Sequence, residues 1–270
     1  MRLPTFPKNF AMLPSRVRQA VYWFKQNWHT SRQILSRLIG NRSHRLSNYP
    51  DRSWFWPILE EYRDSEGRTL EEAEFANAGE FFKSETECKQ AIATRRWMSS
   101  PKSEKDVQQL LTLLEAFFCP DEDFTYLEFG TCFGTTFARV LAHFPNAKGI
   151  GLEVNKSRFH VTCWLMQWVD ERWNLVKRAE LHRASVVDVP FAPNSIDAVF
   201  MDTSHVFPDD LEYIRHLTSN GVLRKGFVFV VDDPLHSGTD IARRQFISKE
   251  SAKYKIITRR DKNLWWFFSR

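Results

Sequence analysis

Leu127-Glu128-Phe129-Gly130-Thr131-Cys132-Phe133-Gly134-Thr135-Thr136 is the stretch on which the fold turns. It joins an apolar run at Phe124–Phe129 to a segment with helical spacing that reaches Phe144. Lacking a Cβ, Gly130 and Gly134 let the backbone pass close beneath a ligand. Outward from this loop, short apolar runs alternate with helical stretches. The predicted strands are Phe124–Phe129, Lys148–Leu152, Ala179–Ser185, Ile196–Met201 and Phe227–Val231. Helices are predicted up to Phe144, up to about Trp173, around Asp209–Thr218 and near Thr239–Ile247. That alternation implies an α/β fold, a parallel sheet covered by helices on both faces. Its end differs: Lys253–Arg259 and Asn263–Ser269 flank the polar turn Arg260-Asp261-Lys262 and read as an antiparallel hairpin.

About 20 residues beyond the loop, Gly149-Ile150-Gly151-Leu152-Glu153 closes the second strand on a carboxylate. Ligands of open α/β sheets bind outside the carboxyl ends of the strands, and an acid there accepts hydrogen bonds from both ribose hydroxyls of a nucleoside. Ser185, with Asp188 close behind, ends the third strand where an adenine edge would lie.

Taken together, Glu128, Gly130-x-x-x-Gly134 and Glu153 resemble the pattern of class I S-adenosylmethionine-dependent methyltransferases. The dinucleotide-binding GxGxxG is absent, because Cys132 stands where its second glycine would be. The resemblance covers Phe124 to Arg270 and implies a Rossmann-like sheet, mostly parallel, with a C-terminal antiparallel hairpin. It further implies that Glu128, Gly130, Thr131, Cys132, Gly134, Glu153 and Ser185 hold S-adenosylmethionine. The plainer alternative is a Rossmann-like domain whose glycines only make a tight turn.

Two further strand ends are acidic. The fourth runs into Asp202-Thr203-Ser204-His205 and the fifth into Asp232-Asp233-Pro234. Adjacent carboxylates repel one another, and a hard cation such as Mg²⁺ relieves that cost. The pattern resembles metal-dependent small-molecule O-methyltransferases: the catechol type, the antibiotic-sugar type and the cephalosporin-hydroxylase-like group. That resemblance implies Asp202, Asp232 and Asp233 as metal ligands, with Asp202 and His205 in catalytic positions and His205 as the base. An imidazole titrating near pH ~6.5 is suited to taking a hydroxyl proton. The bland alternatives are that Asp202 accepts loop hydrogen bonds, Asp233-Pro234 starts a turn and His205 caps a helix. His236 is the rival histidine.

Charge is uneven along the chain. Residues 1–50 contain nine Lys/Arg and no Asp or Glu, which leaves 29 basic and 33 acidic side chains in residues 51–270. The net charge of +5 therefore describes a basic arm on a mildly acidic body. Within the arm Val17, Val21, Phe24 and Trp28 recur at helical spacing, and Gly40 is a plausible stop. Such a helix can pack on the domain, lie on an anionic membrane surface through residues 13–40, or serve as an organelle transit sequence. We therefore divide the chain into a basic amphipathic arm (1–50), an irregular, aromatic-rich cap or substrate-side segment (51–102) and the cofactor-binding domain (103–270). A helix is expected around Thr69–Phe82, and another over Glu104–Phe118 with Ser103 as its cap.

The four cysteines (Cys88, Cys119, Cys132, Cys163) show no metal-like spacing and read as reduced thiols of a cytoplasmic protein. No run approaches ~20 apolar residues, as a spanning helix needs. The expected partner is a small-molecule acceptor, with a homodimer as a further expectation. A nucleic-acid methyltransferase using the arm is disfavoured by the acidic body and by the lack of an Asn/Asp-Pro-Pro-aromatic run after strand four. A non-catalytic cofactor-binding protein is the third option.

Overall fold

The computed structural model describes residues 59–70, 72–73, 104–203, 207–232, 237–250, 253–258 and 264–269. The basic arm, most of the 51–102 segment, Ser204, His205, Val206, and Asp233 to His236 lie outside the described residues.

The described elements run α1 (Glu104–Glu115), β1 (Thr125–Phe129), α2 (Thr135–His143), β2 (Lys148–Leu152), α3 (Lys156–Trp173) and β3 (Ala179–His182). They continue with β4 (Ile196–Met201), α4 (Asp209–Ser219), β5 (Leu223–Asp232), α5 (Ser237–Glu250), β6 (Tyr254–Thr258) and β7 (Leu264–Ser269). The strands form one sheet in the order β3-β2-β1-β4-β5-β7-β6. β1 pairs parallel with β2 and β4, β2 with β3, and β4 with β5. Only β7 runs against its neighbours β5 and β6. The chain moves outward from β1 to β3, then crosses back to β4 on the other side. That reversal makes a crevice at the carboxyl ends of β1 and β4.

Both faces of the sheet are buried, as the near-continuous apolar strands require. Along β5, Val228 and Val230 join one core, while Phe229 and Val231 join the other. β7 alternates in the same way: Trp266 and Phe268 belong to the first core, and Trp265 and Phe267 to the second. The first core holds Leu110, Leu111 and Leu114 of α1, Phe137, Val140 and Leu141 of α2, and Val161 and Leu165 of α3. The second holds Leu211, Ile214 and Leu217 of α4 with Ala242 and Phe246 of α5. At about 25 cal/mol per Å² of apolar surface, these two layers supply most of the drive to fold.

Some boundaries differ from the sequence reading. α1 stops at Glu115 rather than Phe118, because the amides of Ala116 and Phe117 turn back to Leu113 and Leu114 in tighter, three-residue bonds. That turn stacks Phe118 on Phe124, ring centroids 4.2 Å apart. β5 begins four residues earlier than expected, at Leu223. β3 ends at His182, before Ser185. Of the expected helix at Thr69–Phe82, its start is described. The Thr69 amide donates to Glu72 Oε2 at 2.8 Å and the Glu72 amide donates to Thr69 Oγ1 at 3.3 Å, a reciprocal capping box. Leu70 and Ala73 are buried behind it. Ala76 and Phe82 lie outside the described residues. No helix among the described residues is long and apolar enough to cross a membrane.

Candidate active site

Register places the expected residues on one edge. Phe129 lies beside Leu152 on β2 and Met201 on β4, and Met201 lies beside Val231 on β5. The residues that follow these positions therefore share one carboxyl edge: the Gly130–Gly134 loop, Glu153, Asp202 and Asp232.

The two glycines are required by what surrounds them. A Cβ on Gly130 would stand 1.7 Å from the backbone oxygen of Asp202, and one on Gly134 would stand 2.7 Å from Cγ2 of Thr162. Both have positive φ, +83° and +75°. The backbone at Asp202 and the packing of α3 exclude the side chains. Cys132, between them, also takes a left-handed conformation with φ 53°. This is unusual for a non-glycine residue, and its surroundings hold it there.

Hydrogen bonds fix that turn. The Gly130 and Thr131 amides donate to the Leu152 carbonyl at 2.9 and 3.2 Å, lashing the loop to the end of β2. Thr162 Oγ1 donates to the Cys132 carbonyl at 2.8 Å. The Cys132 amide donates to Glu153 Oε2 at 2.8 Å and the Asn155 amide donates to Glu153 Oε1 at 2.9 Å. Glu153 is thus a buried carboxylate, 6% exposed, with one backbone donor on each oxygen. Beside it Val154 is 67% exposed, an apolar side chain left on the surface at the ligand edge. Thr131 Oγ1 is buried and finds no hydrogen-bond partner among the described residues, an orphaned hydroxyl inside the loop.

Glu128 is buried at 1% exposure and accepts from the Tyr126 hydroxyl at 2.6 Å. Both project from the same side of β1, two residues apart. Burial, then the Glu128 charge and the Asp202 charge, push the Tyr126 hydroxyl well above its ordinary titration range. It therefore stays protonated and remains a donor to Glu128. The sequence reading missed Tyr126, although an i, i+2 partner to an inward-facing acid was a usable signal.

Ser185 leads into a short 3-10 turn, Val186–Asp188, and its carbonyl accepts from the Asp188 amide at 3.0 Å. Asp202 is half-buried, and its amide donates to the Phe129 carbonyl at 3.1 Å. Asp232 ends β5 at 1% exposure. Among the described residues no three His, Cys, Asp or Glu side chains are grouped to hold a metal ion. His205 and Asp233, named for base and third ligand, lie outside the described residues. The backbone brings Asp202 and Asp232 to the same edge, but the described side chains do not by themselves complete a metal set.

No protein-family model matches the chain, and no curated protein sequence does. Solved structures do share its fold. A protein from Corynebacterium glutamicum superimposes with a TM-score of 0.52 at 15% identity, over 72% of this chain and 94% of that one. An S-adenosylmethionine-dependent methyltransferase from Aquifex aeolicus gives a TM-score of 0.46 at 17% identity, over 61% and 88%. PKMT2 from Rickettsia typhi, solved with AdoHcy, gives 0.34 at 16% identity; this chain spans a fifth of its length. With its strand order and its lone antiparallel β7, the sheet is Rossmann-like, mostly parallel with a C-terminal antiparallel pair.

Proposed function

We propose that the protein is an S-adenosylmethionine-dependent methyltransferase acting on a hydroxyl group of a small molecule. One observation carries the cofactor reading: Glu153, a buried carboxylate just after β2, is tied through its two oxygens to the Cys132 amide of the glycine loop and to the Asn155 amide, which fixes it at the carboxyl edge. An acid held at the end of the second strand suits the two hydroxyls of a ribose. Val154 offers an apolar surface to an adenine, and Thr131 Oγ1 offers a hydroxyl without a partner. Glu128, held by Tyr126, puts a negative charge near the loop, which suits the cationic end of the cofactor. When bound, S-adenosylmethionine supplies a methyl group already activated on a positive sulfur. The protein then has to align the acceptor and remove its proton.

For that second task Asp202 and His205 are the proposed catalytic residues, with His205 taking the hydroxyl proton. Asp202, Asp232 and Asp233 are the proposed holders of a Mg²⁺ ion, whose charge would lower the acceptor's pKa. The parallel register of β4 and β5 puts Asp202 and Asp232 on the edge that carries Glu153, which supports this reading.

Labelled S-adenosylmethionine, a panel of phenols and sugars, and Mg²⁺ with or without chelator test the reading in one assay. Methyl incorporation that chelator suppresses supports all of it. Incorporation indifferent to chelator removes the metal and keeps the methyltransferase.

A further inference from the structure

Three described residues outside the set considered so far meet where the end of β4 faces the first turns of α4 and α5. Asp210, in the first turn of α4, is completely buried. Its Oδ1 accepts from Thr203 Oγ1 at 2.7 Å, and its Oδ2 accepts from Thr239 Oγ1 at 2.9 Å. Thr203 directly follows Asp202 at the end of β4. Thr239, itself 1% exposed, lies in the first turn of α5, just beyond Asp232.

A buried carboxylate is costly, and two neutral hydroxyls with the positive end of α4 offset only part of that cost. Apolar contact alone would hold α4 against α5, as Leu211, Ile214, Ala242 and Phe246 do in the same core. A carboxylate supplies what leucine does not: two directed acceptors, about 2 Å apart, one reaching the residue after β4 and the other the first turn of α5.

We propose that Asp210 is a positioning residue, a single carboxylate that fixes the Asp202 end of β4 relative to the Asp232 end of β5. Its purpose rests on the methyl-transfer reading above, since the two acids must keep a set spacing to act on one acceptor. The bridge makes order on one side depend on the other. Loosening α5 loosens the β4 loop, and the reverse holds as well.

The test is amide hydrogen exchange on the full-length protein. Thr203→Val and Thr239→Val are nearly isosteric and each removes one hydroxyl. Thr239→Val, on α5, is expected to speed exchange of the Asp202 amide by about tenfold, the scale of one hydrogen bond to a charged group. Thr203→Val is expected to speed exchange in the first turns of α5 by a similar factor. Thr203→Ser and Thr239→Ser keep a hydroxyl and should restore protection, a rescue that loss of packing would not show. Effects confined to the side bearing the substitution would overturn the bridge. A separate calorimetric titration of the wild-type protein with S-adenosylmethionine judges the reading on which the purpose rests. No binding there would remove the role in methyl transfer, whereas crossed exchange effects would still establish the coupling.

Discussion

Around β1 and β2, backbone sets the geometry of the carboxyl edge; around β4 and β5, side chains set it. In the first region Gly130 presses against the Asp202 carbonyl, Cys132 turns left-handed, and backbone amides bind both oxygens of Glu153. In the second region, Thr203, Asp210 and Thr239 hold the end of β4 to the first turns of α4 and α5 through hydroxyl and carboxylate. The contrast matters for how each region tolerates change. A backbone-built site fails when a Cβ is added. A side-chain-built site fails when a single polar atom is removed, and a residue that restores the atom repairs it.

The largest effect is expected at Gly130. Gly130→Ala puts a methyl group 1.7 Å from a backbone oxygen at φ +83°, and neither the oxygen nor the turn can yield cheaply. A loss of about 4 kcal/mol in urea unfolding is expected, or failure to fold. Gly134→Ala should cost less, about 2–3 kcal/mol, because its clash is with a side-chain methyl of Thr162. Adding Thr162→Ser removes that methyl and keeps the hydroxyl that bonds Cys132. The double variant should recover the steric part and retain only the cost of positive φ.

Tyr126→Phe comes next, at about 2 kcal/mol, since it strips a buried carboxylate of a donor. It also has a pH signature. The folded protein holds the Tyr126 proton more tightly than the unfolded chain, so its contribution is complete below the ordinary tyrosine value of 10.0 and is lost as pH rises above it. Burial shifts Tyr213 and Tyr254 in the same direction. Wild-type stability should therefore fall in alkali, and Tyr126→Phe should flatten the fall. An unchanged alkaline limb would show that Tyr126 is not the sensitive group. The smallest effect is expected at the exposed pair of His182 with Glu180 on edge strand β3, where Glu180→Ala should leave the thermal midpoint unchanged within error.

The same contrast explains what could be read from sequence. The glycine loop and Glu153 were legible because a backbone-built turn leaves its glycines in fixed order, with the acid a set distance on. The parallel sheet was legible from apolar strands alternating with helical stretches, and β7 from its polar turn. Tyr126 escaped notice because an aromatic residue in an apolar strand looks like core, and most of it is core. Asp210 escaped because its partners lie 7 and 29 residues away, and no local pattern connects Thr203, Asp210 and Thr239. The reason for the two glycines was also hidden: the obstacles, Asp202 and Thr162, come from elements adjacent only after folding.

Calorimetric titration of the wild-type protein with S-adenosylmethionine, repeated with Glu153→Ala, tests the central claim most directly. Saturable one-to-one binding to the wild type is expected, with a loss of at least tenfold in affinity in the variant, since Glu153 would both orient the loop and accept the ribose hydroxyls. No heat with the wild type, or undiminished binding by Glu153→Ala, would contradict it.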